Sequence, residues 1–330
     1  MRKMMGPVTG IAMAAVLAVG ATACGDDGGS GGSGGSGDKI KLTLVQGMAG
    51  EEFYETMACG AKAEAARLGV QLSVQGPQKF DPTLQTPIVN SVVADKPDAM
   101  LIAPTDTKAL IAPLTQAKAA GIKTILVDTV VEDDGIGLSR ISTDNTKGGE
   151  AAATALTKQI GDKGKVLVIS TDPGVSTVDA RVKGFEQAIK ASHPNVQYVG
   201  VQYSHNDVGT AGQITNSALA KDPDLAGVFA TNLNSATGAG SALQQAGKLG
   251  KVKMIGFDAG PAQVKQLKDG VVQGLIAQLP GEIGAKGVQQ AVAAVKDEPV
   301  TKSIPTDATV VTKENVDTPE GQKVLYKAGC

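Results

Sequence analysis

The chain has 330 residues with 31 basic and 33 acidic side chains, a formal net charge of −2. That near balance, with no basic cluster to track a phosphate backbone, argues against a nucleic-acid partner. Beyond the N-terminal segment no apolar run approaches the ~18–20 residues needed to cross a bilayer.

Arg2 and Lys3 give the chain a basic start, the apolar run Ile11–Val19 follows, and Ala21-Thr22-Ala23-Cys24 closes the segment. A charged start, an apolar core too short to span a membrane and small residues at the end read as a signal peptide over residues 1–23. Cysteine directly after the small residues resembles a lipobox, in which Cys24 is acylated and becomes the first residue of the mature protein. A plain cleaved signal with an incidental cysteine is the alternative. Residues 25–37 are only Gly, Ser and Asp, too polar and flexible to bury a core, so residues 24–37 read as a tether. The expectation is a globular protein held by the lipid on Cys24 at the outer face of the cell membrane. Processing there removes Arg2 and Lys3 and leaves 29 basic and 33 acidic side chains. Cys59 and Cys330 remain, and an even pair in an oxidising compartment points to a disulfide. A buried Cys59 with a frayed Cys330 is the other reading.

From Asp38 onward 293 residues remain, enough for two domains of ordinary size. Strand-like apolar runs appear at Ile40–Gln46, Val70–Val74, Ala99–Ala103, Ile122–Val127, Val166–Ser170, Val196–Gln202, Gly227–Ala230, Val252–Phe257 and Val272–Gln278. Between them lie helix-like segments near Glu52–Leu68, Leu84–Ala94, Thr107–Ala119, Lys147–Gln159, Val178–Ala191, Thr210–Ala220, Ser235–Gln244, Pro261–Lys268 and Ile283–Val295. In the first helix Phe53, Met57, Ala61, Glu64, Ala65 and Leu68 form a largely apolar stripe, and Gly69 stands where a C′ glycine belongs. Continuous Val/Ile/Leu runs alternating with helices imply α/β architecture with parallel sheets covered on both faces. Eighteen elements exceed one comfortable core, so two doubly wound lobes are expected. The rival is an eight-stranded (β/α) barrel. Against it stands the long, Gly-rich and polar passage Asp128–Lys147, which reads as a crossover between lobes. Further crossings are expected near Gln278–Leu279 and Ile304–Asp307.

Ligands of open α/β sheets sit beyond the carboxyl ends of the strands. There the chain places Gln46 with the Gly47–Glu52 loop, Pro77–Asp81, Asp128, Asn206-Asp207, Asn232, Phe257-Asp258 and Gln278. Short carboxylates and amides bond in fixed directions, which suits a ring of hydroxyls. Singly, each of these residues more often caps the following helix. Together, Asp128, Asn232, Asp258 and Gln278 form a candidate binding set with Arg181, whose guanidinium can fork onto two ligand oxygens. Aromatics are few, five Phe, four Tyr and no Trp, yet Phe53, Tyr54, Phe80 and Phe257 all fall near strand ends, where a ring can cover the C–H face of a sugar. Core packing is the competing role for each.

No nucleophile–base or metal-ligand spacing occurs, so neither an enzyme nor a bound cofactor or metal is expected. His193 and His205 stand in polar stretches that read as solvated surface.

Several of these segments resemble the ribose-type periplasmic binding proteins of ABC transporters. They are Ile102-Ala103-Pro104-Thr105-Asp106, Leu126-Val127-Asp128, Thr143-Asp144-Asn145, Arg181-Val182-Lys183-Gly184-Phe185, Gly227 through Asn232, Ile255-Gly256-Phe257-Asp258 and Ile276 through Pro280 with Ile283-Gly284. The match runs in order from about Lys39 to Val311. The resemblance implies the type I fold, two Rossmann-like lobes joined by a three-strand hinge, with a sugar in the cleft. It places residues 38–143 and 279–307 in the N-terminal lobe, residues 144–278 and 308–318 in the C-terminal lobe, and residues 319–330 in a tail. It puts Asp128, Arg181, Asn232, Asp258 and Gln278 on the family's polar sugar contacts, Phe53 and Tyr54 on its N-terminal aromatic pair, and Phe257 on the aromatic before the late Asp. Ala103 stands where ribose binders have Asn, and Thr129 where an arginine commonly follows the Asp. Both departures argue for a ligand other than ribose, and the Gln75–Asp81 loop, with Gln78, Lys79, Phe80 and Asp81, is expected to supply compensating contacts. The implied protein is a monomeric lipoprotein delivering a monosaccharide or polyol to an ABC permease and its ATPase by lobe closure. The alternative is a sugar sensor docking on a receptor or kinase ectodomain.

Overall fold

A computed structural model describes residues 39–327 and 329–330. The signal segment, the tether and Cys24 lie outside the described residues. The first apolar runs form strands β1 (Lys41–Val45), β2 (Gln71–Gln75), β3 (Ala99–Ile102) and β4 (Lys123–Val127), alternating with helices α1 (Glu52–Leu68), α2 (Pro82–Asp95) and α3 (Ile111–Ala119), and strand β5 (Ser139–Thr143) follows β4. Helix α4 (Asn145–Ile160) opens the second half. It is followed by β6 (Gly164–Ser170), α5 (Ser176–Ser192), β7 (Val196–Tyr203), α6 (Val208–Lys221), β8 (Leu225–Ala230), α7 (Leu233–Gln245), β9 (Lys253–Phe257), α8 (Pro261–Lys268) and β10 (Gly274–Ala277). The chain ends with α9 (Pro280–Val295), β11 (Ser303–Thr306), β12 (Thr309–Val311) and α10 (Pro319–Lys323).

The strands make two six-stranded sheets with the same wiring, β2-β1-β3-β4-β5-β11 and β7-β6-β8-β9-β10-β12. Every pairing is parallel except β12 against β10. Two open sheets exclude the barrel. Strand β3, Ala-Met-Leu-Ile, is buried at every position, as a strand covered on both faces must be. Its cover is α1 and α9 on one side and α2 and α3 on the other, while α4 and α5 face α6, α7 and α8 across the second sheet. Burying one such Leu or Ile side chain contributes roughly 1.5–3 kcal/mol. Gly69, in the left-handed conformation, ends α1 by donating its N–H to the carbonyl of Ala66.

The passage Asp128–Lys147, read from sequence as a crossover throughout, contains strand β5. Its sequence Ser-Arg-Ile-Ser-Thr is polar, and it becomes an interior strand only because β11, about 160 residues later in the chain, pairs with it from Arg140 to Thr143. Three segments cross between the sheets: Thr143–Asn145, Ala277–Pro280 and Thr306–Thr309. They are hydrogen-bonded to one another. Asp144 N–H donates to the Thr306 carbonyl at 3.1 Å, and the Thr143 hydroxyl donates to Gln278 Oε1 at 2.7 Å. The tail makes a further crossing. Tyr326 N–H bonds the Ala259 carbonyl beside β9, Lys327 N–H donates to the Thr56 hydroxyl on α1 at 2.9 Å, and Cys330 is disulfide-bonded to Cys59, also on α1.

Candidate functional site

The carboxyl ends of the two sheets face each other across a small cavity. Among its lining residues are Phe53, Tyr54, Phe80, Asp128, Arg181, Asn232, Asp258 and Gln278. Glu51, Thr171, Val175, Thr177, Val178 and Asn206 complete the wall.

Asp128 and Asp258 each stand one residue past a strand, after β4 and β9, with φ of 62° and 77°. Left-handed backbone is rare outside glycine and commonest in Asp and Asn, and here it turns both carboxylates from the strand ends into the cavity. Asp128 Oδ2 accepts from the Tyr54 hydroxyl at 3.0 Å. Asp258 Oδ1 accepts from Gln278 Nε2 at 2.7 Å and from the Tyr326 hydroxyl at 2.8 Å. Arg181, buried on α5, donates from Nε to Asn145 Oδ1 and from Nη1 to the Thr231 carbonyl, each at 2.8 Å. Its guanidinium carbon lies 3.7 Å from the centre of the Phe257 ring.

Phe257 is therefore not a wall of the cavity. It is wholly buried, with Gly148 on α4 leaving room for its ring, and it supports Arg181 from behind. Asp81 likewise does not reach the cavity. Its carboxylate accepts from the Thr83 hydroxyl and from Thr83 N–H, each at 2.7 Å, and caps α2, and these bonds hold it below the usual carboxylate range. Ala103 and Thr129 are buried beside the site without lining it, and the Thr129 hydroxyl donates to the Pro104 carbonyl at 2.7 Å.

Four polar wall residues were absent from the set chosen by sequence: Thr171, Thr177, Glu51 and Asn206. Glu51 precedes α1 with its carboxylate buried, and Asn206 Nδ2 reaches it from the other lobe at 3.5 Å. Burial, reinforced by the negative charge of Asp258, pushes the Glu51 carboxyl up to about 8. Burial raises Asp128 to about 6 against the pull of Arg181 and the Tyr54 hydroxyl. Asn206 Oδ1 accepts from Asn232 Nδ2 at 2.5 Å, while Asn232 Oδ1 and the Thr171 hydroxyl are buried in this wall without a partner. Glu51 and Asn206 belonged to strand-end loops, the only signal the sequence offered for them. The lobes also meet at the mouth, where Thr107 N–H donates to the Gly174 carbonyl and Val130 N–H to Ser176 Oγ, each at 3.0 Å.

The site is thus an interlobe cleft with aromatic rings on one wall, Val175 and Val178 on the other and charged and amide groups between them, the arrangement of a type I binding protein. Residues 43–299 match the periplasmic binding protein domain family, and the chain belongs to that family. The ribose import binding protein RbsB of Escherichia coli (strain K12) is 32% identical over 314 residues, covering 95% of this chain and 99% of that protein. An ABC transporter solute-binding protein of Agrobacterium vitis, solved with α-D-tagatopyranose, is 42% identical with a TM-score of 0.86, covering 88% of this chain and 100% of that one. A second from the same organism, with bound D-fucose, is 34% identical with a TM-score of 0.83, covering 87% and 100%.

Proposed function

We propose that this protein is the extracytoplasmic solute-binding component of an ABC importer and that it takes a single-ring monosaccharide or a polyol. The observation that carries this reading is the sandwich of the cleft. Tyr54 and Phe80 lie near-parallel with centroids 6.5 Å apart on the first lobe, and Val175 and Val178 stand opposite. Between them Asp128, Arg181, Asn232, Asp258 and Gln278 point polar atoms inward. A pyranose offers apolar C–H faces and an equator of hydroxyls, each both donor and acceptor, which matches carboxylates, a guanidinium and amides. The buried, partnerless Asn232 Oδ1 calls for a donor at that place. Phe53 serves by packing edge-on against Tyr54, with centroids 5.1 Å apart. Sugars bound by the relatives support the same ligand class.

The mechanism is closure. Asp128 belongs to the first lobe, Gln278 opens the hinge crossing after β10, and Arg181, Asn232 and Asp258 reach the ligand from the second lobe, so only the closed form offers all contacts at once. The ligand shifts the open–closed equilibrium by that difference in affinity, and the permease with its ATPase reads the closed form. The signal segment 1–23 and acylated Cys24 place the protein, through the tether 24–37, on the outer face of the membrane as a monomer. Ala103 and Thr129 favour a ligand other than ribose.

The test is a thermal-shift screen of D-tagatose, D-fucose, D-arabinose, D-allose, D-ribose and the common polyols. A ligand at 100 times its Kd stabilises by about 2.7 kcal/mol, a clear rise in Tm. Silence across pentoses, hexoses and polyols would refute the sugar reading.

A further inference from the structure

The C-terminal tail does more than end the chain. Tyr326 is 5% exposed although only four residues follow it, and its hydroxyl lies behind the cleft wall. That hydroxyl accepts from Gln278 N–H at 3.1 Å and donates to Asp258 Oδ1 at 2.8 Å. Burial and the Asp258 charge hold the phenol well above its ordinary value, so it stays a proton donor. Its ring meets Phe53 of α1 with centroids 5.9 Å apart. Tyr326 does not line the cavity, and it touches the site only through Asp258, Gln278 and Phe53. On either side the tail is fixed to opposite lobes. Tyr326 N–H bonds Ala259 of the second lobe, while Lys327 and Cys330 are held to Thr56 and Cys59 of α1 in the first.

We infer that Tyr326 is a positioning residue for the ligand site, and that the Cys59–Cys330 disulfide closes the strap that delivers it. An aspartate in left-handed backbone, with only Gln278 beside it, could swing its carboxylate toward solvent. A second donor on the same Oδ1 fixes the carboxylate plane and leaves Oδ2 directed at the ligand. The Gln278 amide is locked to the same hydroxyl, so one phenol sets two adjacent ligand contacts. A free five-residue tail loses much conformational entropy on docking, and tying Cys330 to α1 removes part of that cost beforehand. This role rests on the sugar-binding reading above, but part of its test does not.

The experiment uses Tyr326→Phe and the double variant Cys59→Ser/Cys330→Ser in the full chain, read by amide hydrogen exchange without ligand and by calorimetric titration with D-tagatose as probe. Phenylalanine keeps the ring against Phe53 and removes only the hydroxyl. In the free protein, exchange at the Gln278 amide rises about tenfold or more in both variants while the neighbouring β10 amides hold their protection. With D-tagatose, Kd rises roughly 10- to 100-fold in Tyr326→Phe, the scale of a hydrogen bond to a charged group. Combining the two changes adds less than their separate effects, because both act through one contact. Wild-type protection at Gln278 in Tyr326→Phe overturns the inference whether or not any sugar binds. Wild-type affinity in that variant reduces Tyr326 to packing and overturns it equally. If the wild type binds no sugar while Gln278 exchange responds as stated, the strap stands and the sugar reading falls.

Discussion

Asp128 and Asp258 are the same device built twice. Each follows the fourth strand of its lobe, adopts positive φ, donates its N–H at 2.8 Å to a carbonyl of the next strand (Ile141 in one, Ile276 in the other) and presents its carboxylate to a tyrosine hydroxyl. The tyrosines come from unrelated places, Tyr54 from the first helix and Tyr326 from the tail. Asp128→Asn and Asp258→Asn should keep Tm nearly unchanged, because Asn also accepts left-handed backbone. Each should weaken sugar binding by roughly 1–1.5 kcal/mol, the gap between a charged and a neutral hydrogen bond. Alanine at either place should in addition cost roughly 1–2 kcal/mol of stability. Chemical denaturation beside titration separates the two effects, and equal stability losses for Asn and Ala would sink the backbone argument.

Arg181 is held by Asn145, the Thr231 carbonyl and the Phe257 ring. Arg181→Lys keeps the charge but loses the planar fork and the stacking. It should weaken the identified ligand by at least about 1.5–3 kcal/mol, read by calorimetry. Wild-type affinity in the lysine variant would remove Arg181 from the binding set.

Closure should be sensitive to pH through Glu51. Its carboxyl goes from an ordinary 4.5 to about 8 in the closed cleft, and that of Asp128 from 3.8 to about 6. A raised carboxyl value means that the closed form holds its proton more tightly than the open or unfolded chain. The associated stability is therefore fully present below the ordinary values and is lost as pH rises, through about 6 for Asp128 and about 8 for Glu51. Between pH 6 and 8 the Glu51 part dominates, on the order of a few kcal/mol at 1.36 kcal/mol per pH unit. The Tm of ligand-free protein should fall across that window, and Glu51→Gln should flatten the fall. An equal slope in both proteins would show that Glu51 does not set it.

Helices α4 and α5 approach closely enough that a Cβ on Gly184 would overlap the Thr146 carbonyl, and one on Gly149 the Arg181 carbonyl. Gly184→Ala should cost roughly 1–3 kcal/mol by overpacking and displace Arg181, one turn earlier on the same helix. Lower Tm together with weaker binding is the expected result. A fall in Tm alone would mean that α5 moves as a body without disturbing the guanidinium.

The apolar strands and their helices were legible because a strand buried on both faces reads as a continuous hydrophobic run, as in Ala99–Ile102 or Val166–Ser170. Strand β5 was not, since only Ile141 in Ser139–Thr143 is apolar and its second neighbour lies far along the chain. In the site, Asp128, Asn232, Asp258 and Gln278 could be picked out because each stands at, or within two residues of, the end of such a run. Glu51 reads as an ordinary acidic residue ahead of a helix, and Asn206 as part of a turn, until the lobes bring them together. Phe257 was visible as an aromatic at a strand end, but alternation along β9 sends its ring behind Arg181. Tyr326 could not be placed at all, because no periodicity says where a terminal tail docks.

The first sheet receives α9 and β11 only after five of the six strands of the second sheet, β6 to β10, have been threaded. A nascent chain that has reached Leu279 therefore exposes the open edge of β5 and the bare face of α1 that α9 later covers. The first sheet gains its last strand only when Thr306 has been synthesised and the second only when Val311 has, so neither lobe can complete its sheet before nearly the whole chain is made.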